Sequence, residues 1–189
     1  MKPENNQQNE KGFSYIDVMC ALIILMIGIL GATAALTQSL VQSYATEQRL
    51  IAKQIAQSTV ESIFAARDIR SPNGLNSWDK IGNVGSSQTP LGIFVNNWSP
   101  VRQNPGPDGL LGTSDDSCSG SGACFAGGPA PIPGYERLIK IEDVPDPDRP
   151  SPPNTISRRK ITVTVRYAVA SFFRQETISV MISNIGLAR

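Results

Sequence analysis

The chain has 189 residues, 40% of them hydrophobic and only 17% charged, with a formal net charge of +1 and no histidine. That length suits one modest domain with an extension, and the near-neutral balance leaves no electrostatic footprint for nucleic acid. The absence of histidine removes Ser-His-Asp and Cys-His nucleophile arrangements and every histidine-based metal site, so the sequence argues against an enzyme.

The first element is an apolar run. No charged residue occurs from Val18 to Thr46, and Val18 to Leu36 is apolar almost throughout. About 20 such residues span a bilayer. A domain this small could scarcely cover a helix that is apolar on every face, which disfavours a buried core helix. A secretory signal peptide has a shorter apolar stretch and a basic n-region. Here the preceding segment is mixed in charge, with Lys2, Glu4, Glu10 and Lys11.

The helical pattern continues beyond the run. Leu36, Leu40 and Tyr44 recur at helical spacing, then Ala52, Ile55, Ala56, Thr59, Val60 and Ile63, with Glu47, Arg49, Lys53, Gln57 and Glu61 between them. This stripe of period near 3.6 predicts one helix from about Phe13 to about Asp68, roughly 80 Å long at 1.5 Å per residue. Its first half is apolar all round and its second half is amphipathic. Ser71-Pro72-Asn73-Gly74 is the expected stop.

Ser71 to Pro133 reads as loop-rich, with Leu91–Asn96 as a short strand and Trp78 and Trp98 as packing residues. Three strands follow, at Tyr135–Glu142, Arg159–Ala168 and Gln175–Ser183. In the second, Ile161, Val163, Val165 and Tyr167 alternate with Thr162, Thr164 and Arg166. In the third, Ile178, Val180 and Ile182 stand against Thr177, Ser179 and Ser183. Period-two alternation marks half-buried antiparallel strands. The last two are expected to form a hairpin turning near Ala170-Ser171, and the cluster Arg158, Arg159, Lys160 to be a solvated strand start.

The segment Lys11-Gly12-Phe13-Ser14-Tyr15-Ile16-Asp17-Val18 resembles the type IV prepilin processing site, and Ala21 to Gly31 is similar to the spanning segment of the PilV-like minor pilins. The resemblance covers about the first third of the chain. It implies cleavage between Gly12 and Phe13 by a prepilin peptidase, methylation of the new Phe13 amine, and use of Asp17 as an assembly carboxylate. Asp17 stands where that family usually has glutamate, one methylene longer. An ionised group at the edge of hydrocarbon usually marks function or a partner, and at a helix N-terminus its charge is also favoured by the dipole.

The implied architecture is α+β and pilin-like, a long N-terminal helix packed on a small antiparallel sheet. It divides into a leader (1–12), a transmembrane half-helix (13–36), an amphipathic half-helix (37–70) and a periplasmic region (71–189). The implied function is that of a minor pilin of a type IV pilus. A pseudopilin of type II secretion is the alternative, and a membrane-tethered binding domain the more distant one. The implied partners are other pilins, the prepilin peptidase and the inner membrane. Lys and Arg are balanced across the span, so orientation rests on the processing motif alone.

A periplasmic placement favours a disulfide between Cys118 and Cys124, across the flexible Ser-Gly-Ser-Gly-Ala spacer. Cys20 lies in the apolar run as a small hydrophobe. No cofactor is expected apart from a calcium ion: Asp108, Asp115 and Asp116 sit in a glycine-bearing loop and could supply hard oxygen ligands, though the spacing departs from an EF-hand. The alternative for that loop is a solvated turn.

Overall fold

The computed structural model describes residues 12, 14–68, 77–117, 130–169 and 172–184. The chain divides into two compact units, Met1–Ala45 and Thr46–Arg189. Helix α1 (Tyr15–Asp68, 54 residues) contributes to both and covers the stretch that the periodicity predicts; the expected stop at Ser71-Pro72-Asn73-Gly74 lies outside the described residues.

In the first unit every described residue from Ser14 to Tyr44 is exposed. Ile23, Ile24, Leu25, Met26, Ile27 and Leu30 each leave more than half of their surface open. Apolar side chains on all sides bury nothing within the protein, so this stretch needs an apolar surrounding. It is long and apolar enough to cross a membrane.

The second unit holds the rest of α1, a short helix α2 (Ser77–Lys80), strand β1 (Ser99–Pro100), a 3₁₀ turn at Ser114–Ser117, and strands β2 (Tyr135–Val144), β3 (Arg158–Val169) and β4 (Phe172–Ser183). The four strands form one antiparallel sheet in the order β1-β2-β3-β4. The fold is thus α+β, with a long N-terminal helix and a small antiparallel sheet.

Alternation decides which sheet face is inside. On β3, Arg159, Ile161, Val163, Val165, Tyr167 and Val169 are buried, while the residues between them are not. Tyr135, Arg137 and Ile139 of β2 share that face. Against it lies the apolar stripe of α1, whose Ala52, Ile55, Ala56, Thr59, Val60, Ile63 and Ala66 are all buried. Burial of these side chains removes apolar surface from water at about 25 cal/mol per Å². The β3–β4 hairpin closes between Val169 and Phe172, which pair directly, as the sequence predicts.

Three expectations need correction. Leu91–Asn96 is not a strand: Phe94 makes only isolated bridges, to Asn83 and to Thr113, because neighbouring Gly92 and the polar Asn96 and Asn97 give no alternation to sustain a ladder. The cluster at 158–160 is not uniformly solvated. Arg159 is 5% exposed, donates from Nε to Asp143 at 2.8 Å and from Nη1 to the carbonyls of Trp78 and Ile81, and stacks its guanidinium 4.7 Å above the Trp78 ring. Trp98 is only half-buried, with Arg166 over its ring at 4.6 Å.

The loops between α1 and β2 are held by side chains reaching across long sequence distances. Asn83 is buried and donates from Nδ2 to the Ile139 carbonyl (2.9 Å), while its Oδ1 accepts from the Ile141 N–H (2.8 Å). One amide therefore serves the outer side of β2 where the two-residue β1 does not reach. Trp78 donates its indole N–H to the Ile156 carbonyl at 2.8 Å.

Candidate functional site

The N-terminal segment is the first candidate. Ser14 precedes the first helical residue, and its carbonyl accepts from the N–H groups of Asp17 (2.9 Å) and Val18 (3.4 Å). The Asp17 carboxylate reaches back to the Ser14 N–H, Oδ2 to N at 3.3 Å. This is the returning half of a capping box, in which an acidic residue at the third helical position satisfies the N–H of the cap residue. A buried or lipid-facing helix start leaves four N–H groups without intrahelical partners, and Asp17 answers one of them. Its charge also lies within the first turn, where the dipole is positive. Gly12 is exposed, one residue before Phe13, and Phe13 itself lies outside the described residues. Behind the cap, Thr33 and Thr37 turn their hydroxyls onto carbonyls of the preceding turn, at 3.0 and 2.9 Å, which pairs two polar groups within the exposed apolar stretch.

The acidic loop is the second candidate, and the three carboxylates take separate roles. Asp116 is buried. Its Oδ2 accepts from Arg137 Nη2 at 2.6 Å and from the Gly112 N–H at 2.9 Å. Asp115 accepts from the Thr113 hydroxyl through Oδ1 and from the Asp108 N–H through Oδ2 (3.2 Å). Asp108 accepts from the Leu110 N–H at 2.8 Å. Its pKa is raised, chiefly by desolvation, with the neighbouring Asp115 and Asp116 charges adding to the effect against the Leu110 hydrogen bond.

Arg137 fixes the loop to the rest of the unit. It is 2% exposed, and besides Asp116 it reaches Thr59 Oγ1 on α1 at 3.1 Å. Among the described residues its Nε has no hydrogen-bond partner. Burial lowers its pKa from the ordinary arginine value while the Asp116 charge and hydrogen bond oppose this. The guanidinium stays protonated, because an arginine begins far above neutrality. Ser62 of α1 accepts from the Leu111 N–H at 2.6 Å. Gly112 packs against Ile139, Phe94 and Thr59 at φ +99°, and a Cβ there would lie 2.3 Å from Ile139 Cδ1. Helix, sheet and loop thus meet in one buried polar knot.

A calcium ion at this loop would compete with these internal bonds, above all with the guanidinium on Asp116. Among the described residues, no group of three or more Asp, Glu, Cys or His side chains is arranged to hold a metal ion. Cys118 and Cys124 lie outside the described residues, and Cys20 is a free, exposed thiol on the apolar helix. Thr59, Ser62 and Arg137 were not legible as site residues from composition. The signal was parity: Arg137 occupies an inward position of β2, between Tyr135 and Ile139.

No protein-family model, curated protein or solved structure matches the chain.

Proposed function

We propose that the chain is a minor pilin of a type IV pilus, a subunit that enters or primes a filament after its leader is removed. The observation that carries this reading is the order of features at the N-terminus. A glycine-phenylalanine step precedes a capped helix start, an acidic residue sits in the first turn, and an uncharged run from Val18 to Thr46 follows in one continuous helix. The same helix continues into the amphipathic stretch that covers the sheet.

In this reading the peptidase cuts between Gly12 and Phe13, so the mature chain begins one residue before the Ser14 cap. The new, methylated ammonium of Phe13 and the Asp17 carboxylate are then opposite charges at the same helix end, in a surrounding where neither is tolerated alone. Asp17 is free to exchange its Ser14 bond for the amine of a neighbouring subunit. The Thr46–Arg189 unit lies on the periplasmic side and presents the surface that distinguishes this subunit from others. A secretion pseudopilin shares this N-terminal chemistry and differs in its partners.

The test is intact mass and N-terminal sequencing of protein purified from its native membrane. A start at methylated Phe13 is the expected result. A chain that still begins at Met1, in cells with active prepilin peptidase, would refute the reading. Asp17→Ala is expected to leave cleavage intact and to abolish incorporation into filaments.

A further inference from the structure

Strand β4 has a partner on one side only. It is the last strand of the sheet, and among the described residues nothing pairs with its outer edge. Twelve residues long, it carries no proline and no lysine, two of the residues that commonly blunt an edge. Its beginning is conspicuously apolar and open: Phe172 and Phe173 are 75% and 73% exposed.

Its backbone groups alternate between the two sides of the strand. Asn184, just past the strand, donates its N–H to the Ser157 carbonyl at 2.8 Å, and Ser183 pairs with Arg158 in register. Antiparallel ladders alternate bonded and non-bonded pairs. Even-numbered residues of β4 therefore bond inward to β3, and Phe173, Gln175, Thr177, Ser179, Met181 and Ser183 turn their N–H and C=O groups outward.

The charges on this strand select a register. Arg174 and Glu176 are its only charged residues. A second copy of the same edge can dock antiparallel about a two-fold axis. With the axis at Glu176 the two glutamates meet, and with it at Arg174 the two arginines meet; like charges directly opposite are destabilising. With the axis at Thr177 or Ile178, both charges face apolar residues. Only with the axis at Gln175 does each Arg174 face the partner's Glu176. Phe172 then faces the partner's Ile178, and Phe173 the partner's Thr177. The outward groups of Phe173, Gln175 and Thr177 form about six backbone hydrogen bonds across the axis. Glu176 can take the added charge: Arg49 Nε occupies its Oε1 at 2.6 Å, leaving Oε2 for a second donor. Arg174 makes no ion pair among the described residues.

We propose that the chain self-associates through the outer edge of β4, a second copy pairing antiparallel about Gln175 so that Arg174 of each meets Glu176 of the other. The contact is isologous and closes on itself, and it stands whether or not the leader is cut.

The experiment uses the full chain in detergent micelles, with association read by fluorescence energy transfer between separately labelled preparations. Wild type is expected to associate. Arg174→Glu places glutamate against glutamate, and Glu176→Arg places arginine against arginine, so each alone is expected to lose affinity by at least ~10-fold. The two variants mixed restore both opposite-charge pairs, and association is expected to return. That rescue also shows that both variants are folded. The proposal is overturned if wild type stays monomeric at about 100 µM (a concentration covering weak complexes), in which case any occupant of the edge is another protein. It is equally overturned if either single variant associates like wild type, as association through the apolar helix alone would give, or if the mixture does no better than the single variants.

Discussion

Substituting Asp116 by alanine tests the buried knot most directly. Arg137 would keep only its 3.1 Å contact to Thr59, because its Nε already lacks a partner. A guanidinium 2% exposed would then sit without a counter-charge. Removing one member of a buried ion pair costs about 3–5 kcal/mol, and the Gly112 N–H also loses its acceptor, so the upper part of that range is expected. At about 2–4 °C per kcal/mol for a chain of this size, the unfolding midpoint should fall by roughly 10 °C or more. Unfolding can be followed by tryptophan fluorescence of the full chain in detergent, since Trp78 and Trp98 both belong to the second unit. The companion variant, Asp116→Ala with Arg137→Met, removes both charges and should recover a large part of the loss. The deficit of the single variant should also be nearly independent of salt, since a buried pair is weakly screened. A loss below about 1 kcal/mol, or strict additivity in the double variant, would place the pair in the range of exposed salt bridges and refute the reasoning.

Other consequences follow from the same contacts. Gly112→Ala forces a Cβ onto Ile139 at a positive φ and is expected to cost about 2–4 kcal/mol, the sum of backbone strain and overpacking, read by denaturant titration. Asp146 accepts from Ser157, which chiefly holds its pKa below the usual range, with help from the Asp148 N–H and the Arg158 and Arg149 charges. Its contribution is therefore present above the ordinary carboxylate pKa and is lost as pH falls through the lowered folded value. Asp146→Asn should lower the melting temperature at pH 7, and the difference should vanish in strong acid. Calcium at the acidic loop would have to displace the internal bonds on all three carboxylates, so titration calorimetry is expected to show no saturable heat below about 1 mM. Micromolar binding removed by Asp115→Asn would assign the loop a metal.

Much of the fold was legible because two periodicities report burial directly. The 3.6 pattern located the whole α1 stripe from Ala52 to Ile63, and period-two alternation located β2, β3 and β4 to within a few residues. The region between them was not legible. Its loops are placed by single side chains such as Asn83 and Trp78, whose partners lie more than 50 residues away, and no local pattern encodes such contacts. Arg137 and Arg159 were hidden for a different reason. Their type suggests solvent, whereas their strand parity places them inside, and parity prevails because register is shared by every residue of the strand. At the N-terminus, the Ser14-x-x-Asp17 spacing is itself a capping signature, so the carboxylate has a local task alongside the one the processing motif implies.

The Asn83 amide has a consequence for how the sheet can be extended. By taking the Ile139 carbonyl and the Ile141 N–H, it occupies the groups through which an incoming strand would dock beside β2. Beyond the two residues that β1 covers, pairing at these positions is blocked by a side chain that the protein carries itself. On the opposite margin, no described residue pairs with the outer edge of β4. The two margins of the sheet are therefore unlike: a strand that joins this subunit by backbone pairing finds the β2 groups at Ile139 and Ile141 already taken, and finds those along β4 open.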